Sequence, residues 1–346
     1  MFFKKKVFYF NLFNFLFIFV IGCSFENNLK QEKNNQENLS EISLTTWNTQ
    51  TFFDGITDGT EYSEFQNQKN WNNDKYISRL EKICKVINLL NSDIFILEEI
   101  ENDAVMQDIS NKLAGNSWNK KNTWPYASFS KKARDALGCG IFSKYPISYV
   151  KNHSLNIKTE NSDQPSMRPI SEICINVDNK NLIIFINHWK SKYGGEEETK
   201  KWRNWQENLL NYSACKKKET NYVIAVGDFN RDASDFNIIT SQSEAKRNIT
   251  NTSLSGHLLN LNSIKVFSPW FNSDGNYSTE IGSYYYKGNW ERIDNIFAIS
   301  NNITISDFTP ATEGPWVNEN KQPLRYEYYN GQGYSDHLPL KCTLIF

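Results

Sequence analysis

Several things are missing from this chain of 346 residues, and each absence excludes a class of protein. There is no excess of charge of one sign: 38 Lys and Arg face 39 Asp and Glu, for a formal net charge of −1. A global polycation of the kind expected for an architectural DNA binder is excluded, so an anionic substrate must be held by a local patch or by metal. There is no cysteine framework. Beyond Cys23, Cys84, Cys139, Cys174, Cys215 and Cys342 are odd in number, dispersed and without CxxC spacing, which argues against a zinc site and a set of disulfides, one chance pair aside. Cys84, Cys174 and Cys342 fall in apolar periodic segments, where cysteine acts as a small core hydrophobe. There is no internal repeat and no clear second domain boundary after residue 42. The apolar run Val7–Ile21, at 15 residues, is short for a spanning helix. What is plentiful is aromatic: 23 Phe, 17 Tyr and 10 Trp can build a large core and leave rings over for a binding surface.

The N-terminus reads as a targeting segment, with Met1–Lys6 as its basic region and Val7–Ile21 as its apolar one. Gly22 before Cys23 resembles the lipobox of bacterial lipoproteins, in which the cysteine is acylated and becomes the first residue. Val20 and Ile21 stand where Leu and a small residue are usual. An ordinary signal peptide, with secretion, or an uncleaved anchor is the other reading. On the lipoprotein reading residues 1–22 are removed, acylated Cys23 attaches the chain to the cell envelope, and loss of Lys4, Lys5 and Lys6 takes the net charge from −1 to about −4. Residues 23–41 form a tether, because Ser24–Ser40 is rich in Asn, Gln, Glu and Lys with almost nothing to bury.

Residues 42–346 read as one domain. Ile42–Trp47 is a strand ended by Asn48, and Thr49–Asn73 is a polar loop. Over Asp74–Leu90, Ile77, Leu80, Ile83, Val86, Ile87 and Leu90 recur at helical spacing, with Asp74 as N-cap. Asp93–Leu97 is a strand and Asp103–Leu113 a second helix. Gly138–Ser143 and Ile147–Val150 pair around Tyr145-Pro146, and Ile170–Val177 and Leu182–Asn187 around a polar turn. Glu196–Tyr212 is a charged helix, Tyr222–Val226 a buried strand and Asp232–Arg247 weakly helical. Ser253–Trp290 is irregular and aromatic, and Arg292–Ile299 and Leu338–Phe346 are strands. Such alternation argues a mixed α/β domain.

Beside these apolar runs stand Asn187-His188, Gly227-Asp228-Phe229-Asn230, Arg292-Ile293-Asp294 and Ser335-Asp336-His337. Each puts Asp, Asn or His where a buried strand comes up to the surface. Phosphodiester cleavage needs such a set: oxygen ligands for a hard cation, a base for water and donors for a phosphate. Asp228 and Asn230 straddle Phe229, so both polar groups can face one side while Phe229 packs below. Gly227 permits a tight turn. Asp294 lies in an apolar run and needs a partner, for which a histidine is suited. Taken singly, the Gly-Asp-x-Asn stretch is as readily an Asx turn, Glu99 a helix-dipole carboxylate and Asp336-His337 a surface pair.

Taken in order, Trp47-Asn48, Leu97-Glu98-Glu99, the run from Gly140 to Ile147, and the four stretches above resemble the endonuclease/exonuclease/phosphatase superfamily, whose members include DNase I, bacterial sphingomyelinases and inositol-polyphosphate 5-phosphatases. Arg168-Pro169-Ile170 and Asn187 to Lys192 are similar to its secreted bacterial nuclease-like branch. The resemblance implies a DNase I-like four-layer α/β/β/α sandwich, two packed mixed sheets flanked by helices. It implies Glu99 as main ligand of Mg²⁺ (or Mn²⁺), with Asn48 and Asp336 close to the metal. Asp228 would activate water, Asn230 would hold that water or a phosphate oxygen, and His337, paired with Asp294, would stabilise the phosphate. His188 would be a second histidine there, with Asp135 as its candidate acidic partner. Arg168 would clamp phosphate, Lys190 and Lys192 would track a backbone or simply be solvated, and Tyr285, among Tyr284-Tyr285-Tyr286 and Trp290, would offer a stacking face, pack the loop or press into lipid. Arg231 and Asp232 depart from the family, where another Asp often follows the Gly-Asp-Phe-Asn stretch. The expected activity is cleavage of nucleic acid, DNA before RNA, by a monomer at the cell envelope. A phospholipid or phosphoinositide phosphoesterase and a non-catalytic surface lipoprotein are the alternatives.

Overall fold

Ile42 and Leu44 in strand β1 (Glu41–Phe52), and Ile94 and Ile96 in strand β2 (Ile94–Ile100), point one way, while Trp47, Phe95 and Leu97 point the other. Two-residue periodicity therefore serves two cores at once. The structure is a computed structural model that describes residues 39–116, 123–157, 164–241, 244–249 and 264–346. The targeting segment and most of the tether expected from the sequence lie outside these residues.

The first sheet has six strands. β1 and β2 lie beside each other in parallel at its centre. β4 (Gly138–Ser143) and β3 (Tyr126–Ser130) extend it past β2. β16 (Leu340–Ile345) and β15 (Thr304–Pro310) extend it past β1, all antiparallel. The second sheet has eight strands, in the order β5 (Ile147–His153), β6 (Ile170–Val177), β7 (Lys180–His188), β8 (Tyr222–Asp228), β14 (Asp294–Ala298), β11 (Ile264–Phe267), β10 (Glu244–Ile249) and β9 (Asn237–Ser241). Its parallel pair is β7 with β8. A separate hairpin joins β12 (Tyr284–Tyr286) to β13 (Asn289–Glu291).

A parallel pair needs a crossover. The crossover from β1 to β2 is helix α1 (Asn73–Leu90), and that from β7 to β8 is α3 (Glu196–Cys215). Leu80, Ile83, Val86 and Ile87 of α1, with Val105 and Ile109 of α2 (Asp103–Asn116), pack on the outer face of the first sheet. Leu210 and Ala214 of α3 pack on the outer face of the second, against Ile183, Phe185, Val223 and Ala225. Between the sheets Ile42, Ile94 and Ile141 meet Ile173, Ile184, Ile224 and Val226. The result is the four-layer α/β/β/α sandwich. Among the described residues no helix is long and apolar enough to cross a membrane, and Cys84, Cys139, Cys174 and Cys342 are buried free thiols.

The architecture departs from the sequence reading in places. The α1 cap is Asn72, whose side chain accepts from the Lys75 amide at 3.2 Å, and Asp74 sits inside the first turn, where it favours the dipole instead. The segment read as weakly helical over Asp232–Arg247 is a 3₁₀ turn, Ala233–Asp235, followed by strands β9 and β10. Asp232 caps that turn, accepting the Ser234 amide at 2.9 Å, and also accepts the Arg292 amide at 2.8 Å.

Candidate active site

Strand direction assembles the site. The C-terminal parts of β1, β2, β7 and β8 carry Asn48, Glu99, His188 and Asp228, while β14 begins at Asp294 and His337 stands just before β16. Register finishes the alignment, because His188 pairs with Asp228 and Asp228 with Asp294 across two ladders. In the first sheet the ladders of β2 to β1 and β4 both lose register beyond Glu98. That bulge turns the chain so that consecutive acids diverge. Glu98 is buried on Thr46 at 2.7 Å, while Glu99, at φ 62°, keeps 17 % of its side chain exposed. Gly227 has φ 116°, and a Cβ there would meet the Asn187 carbonyl oxygen at 2.1 Å, so only glycine lets β8 lie this close to β7. Phe229 is fully buried under the site, as its place between Asp228 and Asn230 suggested.

Two carboxylates are held in different ways. Asp228 Oδ1 accepts the Asn230 amide at 2.7 Å, and its Oδ2 accepts Nδ2 of Asn230 at 3.0 Å and of Asn48 at 3.1 Å. Burial, then the Asp294 charge, pushes its carboxyl up to about 7. Asp294 Oδ2 lies 2.8 Å from Nδ1 of His337. Burial alone would drive His337 neutral, but the charge and hydrogen bond of Asp294, with Asp228 and Asp336 behind them, outweigh it and hold the imidazole well above its usual range. His188 goes the other way. It is 2 % exposed, and burial, with Arg168 and His337 nearby, holds it well below the ordinary imidazole value. Its Nε2 lies 3.4 Å from Glu99 and 3.7 Å from Asp228, and its Nδ1 is buried without a hydrogen-bond partner. Asp135 bonds Ser166 instead of His188.

The donor chemistry indicates where a cation fits. Asp228, Asp294 and His337 have ligand atoms within 4.8 Å of one another, and so do Asp58 and Glu61 of the loop after β1 with Glu101 just past β2. The first trio is a poor cage, since the Nδ1 of its imidazole is already engaged by Asp294 at 2.8 Å. Glu99 suits better. One of its oxygens accepts the Thr51 amide at 2.6 Å, the other lies 3.3 Å from Asn48, and Asp336, 22 % exposed, adds a carboxylate close enough to feel the charge of Glu99. One or two carboxylates with an open side for water is what Mg²⁺ takes.

Around this centre the other expected residues are sorted. Arg168 stands at the edge of the site, bonded to Tyr62 and felt by His188 and Lys190. Lys192 is ion-paired to Glu291 at 2.8 Å. Arg231 turns away, buried in an ion pair with Glu207 of α3. Tyr285 packs edge-on against Trp290, ring centroids 4.9 Å apart, so its ring is used within the hairpin. The ring that meets the site is Tyr284, 4.8 Å from His337. Ser335, named within its stretch but given no role of its own, accepts the His337 amide at 3.1 Å and donates to the Asn48 carbonyl at 2.7 Å. Ser335 directly precedes Asp336-His337, and only the fold reveals that it locks two site segments together.

Residues 43–313 match the Endonuclease/Exonuclease/phosphatase family, and the chain belongs to it. Its members are phosphoester hydrolases, and the sandwich is the DNase I-like fold. Truncated Caenorhabditis elegans TDP2 is similar at a TM-score of 0.54 and 15% identity, over 88% of this chain and 98% of that one. D. rerio TDP2 complexed with single strand DNA product gives 0.53 and 17%, over 88% and 99%. The human Nocturnin catalytic domain with bound sulfate gives 0.52 and 15%, over 89% and 96%. At these identities the likeness is one of fold. No curated protein sequence matches the chain significantly.

Proposed function

We propose that the protein is a divalent-cation-dependent phosphodiesterase that cleaves nucleic acid, DNA before RNA, by in-line attack of water. The observation that carries this reading is the convergence, on one strand edge, of the His337–Asp294 ion pair at 2.8 Å with a separate carboxylate, Asp228, clamped by two asparagine amides. Asp228 orients the attacking water and takes its proton. The His337 imidazolium donates to the phosphate oxygen on which charge develops, and Asp294 keeps it charged and aimed. Neutral His188 positions Glu99 and Asp228, and Arg168 and Lys190 receive the flanking phosphate charge. Glu99, with Asn48 and Asp336, would hold Mg²⁺ or Mn²⁺; bound there, the cation polarises the phosphoryl oxygen and offsets charge on the leaving group. The fold shared with a TDP2 crystallised with a single-strand DNA product supports a nucleic-acid substrate.

The test uses the chain from Ser24 with Mg²⁺, wild type against His337→Ala, on plasmid DNA, total RNA and sphingomyelin vesicles. Cleavage of DNA or RNA that EDTA abolishes and the variant lacks supports the reading. Release of phosphocholine with nucleic acid intact moves the protein to the lipid branch. Silence on all three with normal Mg²⁺ binding argues against both. We further propose a monomer tethered at the cell envelope through acylated Cys23. Labelled palmitate incorporated by the full chain but not by Cys23→Ser, and one monomeric sedimenting species from Ser24 onward, are the expected results.

A further inference from the structure

The hairpin of β12 and β13 is built more firmly than an incidental loop. Its turn, Lys287-Gly288, takes φ of 47° and 87°, the left-handed pair that matches strand twist in a two-residue hairpin. At its base the Ser283 amide bonds the Glu291 carbonyl at 3.0 Å, and Lys192 holds the Glu291 carboxylate at 2.8 Å. Alternation along β12 then separates three consecutive tyrosines. Tyr285 faces Trp290, which packs against the core under α1 and α2. Tyr284 and Tyr286 share the other face, rings 6.0 Å apart and only 21° from parallel. Tyr284 lies 4.8 Å from the His337 ring, Tyr286 is 48 % exposed, and the Lys287 ammonium is 5.2 Å from the Tyr286 ring centre. A row of aromatic planes thus leads from the phosphate-binding imidazole to solvent and ends beside a cation.

We propose that Tyr284 and Tyr286 form a stacking track for the base next to the scissile phosphate, which selects single-stranded nucleic acid over duplex. This rests on the phosphodiesterase reading above and deepens it by naming the substrate class. Each base has a π-face to offer a ring, whereas duplex bases are already stacked on one another. Lys287 supplies the charge that a backbone beside a stacked base requires. The turn itself, Lys287, Gly288 and Asn289, carries no apolar side chain, so Tyr286 is the large exposed ring of the hairpin, and the vesicle arm of the test separates a base partner from a lipid one.

The test measures binding by fluorescence anisotropy, and cleavage separately, for the chain from Ser24 and its Tyr286→Ala and Tyr286→Phe variants. The probes are a labelled thymidine oligomer, an abasic strand of the same length, a matched duplex and zwitterionic vesicles. Tyr286→Ala is expected to weaken thymidine-oligomer binding about tenfold more than abasic-strand binding, with the kinetic loss in KM, and Tyr286→Phe is expected to restore it. Equal losses on thymidine and abasic strands, no loss on either, a loss confined to duplex, or one confined to vesicles would each overturn the track. If the wild type binds and discriminates as expected but cleaves no strand, the phosphodiesterase reading fails while the track stands.

Discussion

His188 and His337 are both buried imidazoles within one cluster of acids, yet their environments drive them to opposite protonation states. The largest difference is one contact: His337 has Asp294 at 2.8 Å, with Asp228 and Asp336 behind it, whereas the nearest carboxylates of His188 are 3.4 and 3.7 Å away and Arg168 and His337 oppose its charge. Two roles follow from one residue type. His337→Ala is expected to lower kcat by about 10²–10³, the cost of losing a preorganised donor to developing charge. Asp294→Asn leaves the ring in place but removes the charge that raises its pKa. The imidazolium is then lost at lower pH, so the alkaline limb of the kcat/KM profile should move toward neutrality; an unmoved limb would show that His337 does not act as the acid. Glu99→Gln is expected to raise the Mg²⁺ concentration for half-maximal rate by tenfold or more, read by titrating metal into EDTA-treated protein. Gly227→Ala should cost about 3 kcal/mol of stability in a denaturant titration, because its Cβ would lie 2.1 Å from a backbone oxygen that cannot retreat without breaking the β7–β8 ladder.

At the scale of elements, β1, β2 and the turn after β4 are tied by Asp93. Its carboxylate accepts the Ser43 amide at 2.8 Å, the Ser43 hydroxyl at 2.7 Å and the Lys144 ammonium at 3.1 Å. Burial opposes the charge, but these donors outweigh it and hold the carboxyl below its ordinary value. A depressed carboxyl stabilises the fold fully above its unfolded pKa of about 4, and the contribution fades as pH falls through the folded value. Asp93→Asn should therefore cost about 1–3 kcal/mol at pH 7, and the gap to wild type should close in acid below about pH 4. Elements with strong local signals were legible in the sequence. The β-branched runs that become β2, β6, β7 and β8 read as strands, and the 3.6-residue spacing of α1 read as helix. β9, β10 and the β12–β13 hairpin were not, since strands of three to six residues carry too few positions for periodicity to show. The same limit governed the site. Motif order pointed to Asn48, Glu99, Asp228, Asp294 and His337, which the fold brings to one edge. Only the alternation along a hairpin, invisible without knowing where it starts, distinguishes Tyr284 and Tyr286 from Tyr285.

At the scale of the whole molecule, both sheets feed one shared interior, so residues 39–346 are expected to unfold in a single cooperative transition, with coincident far-ultraviolet circular dichroism and tryptophan fluorescence curves. Separate transitions would mean that each sheet with its helices stands alone. The final strand gives the closing consequence. β16 lies between β1 and β15, Phe346 and Ser40 bond each other at 2.7 and 3.0 Å, and Ser335, Asp336 and His337 come only a few residues earlier. β1 therefore gains its second neighbour, and Trp47 its bond to the His337 carbonyl at 3.0 Å, only from the last segment of the described chain. Chains stopped at Tyr334 should show no cleavage and no cooperative fold, and adding back a peptide of Ser335–Phe346 should restore both if the missing strand is the whole cause.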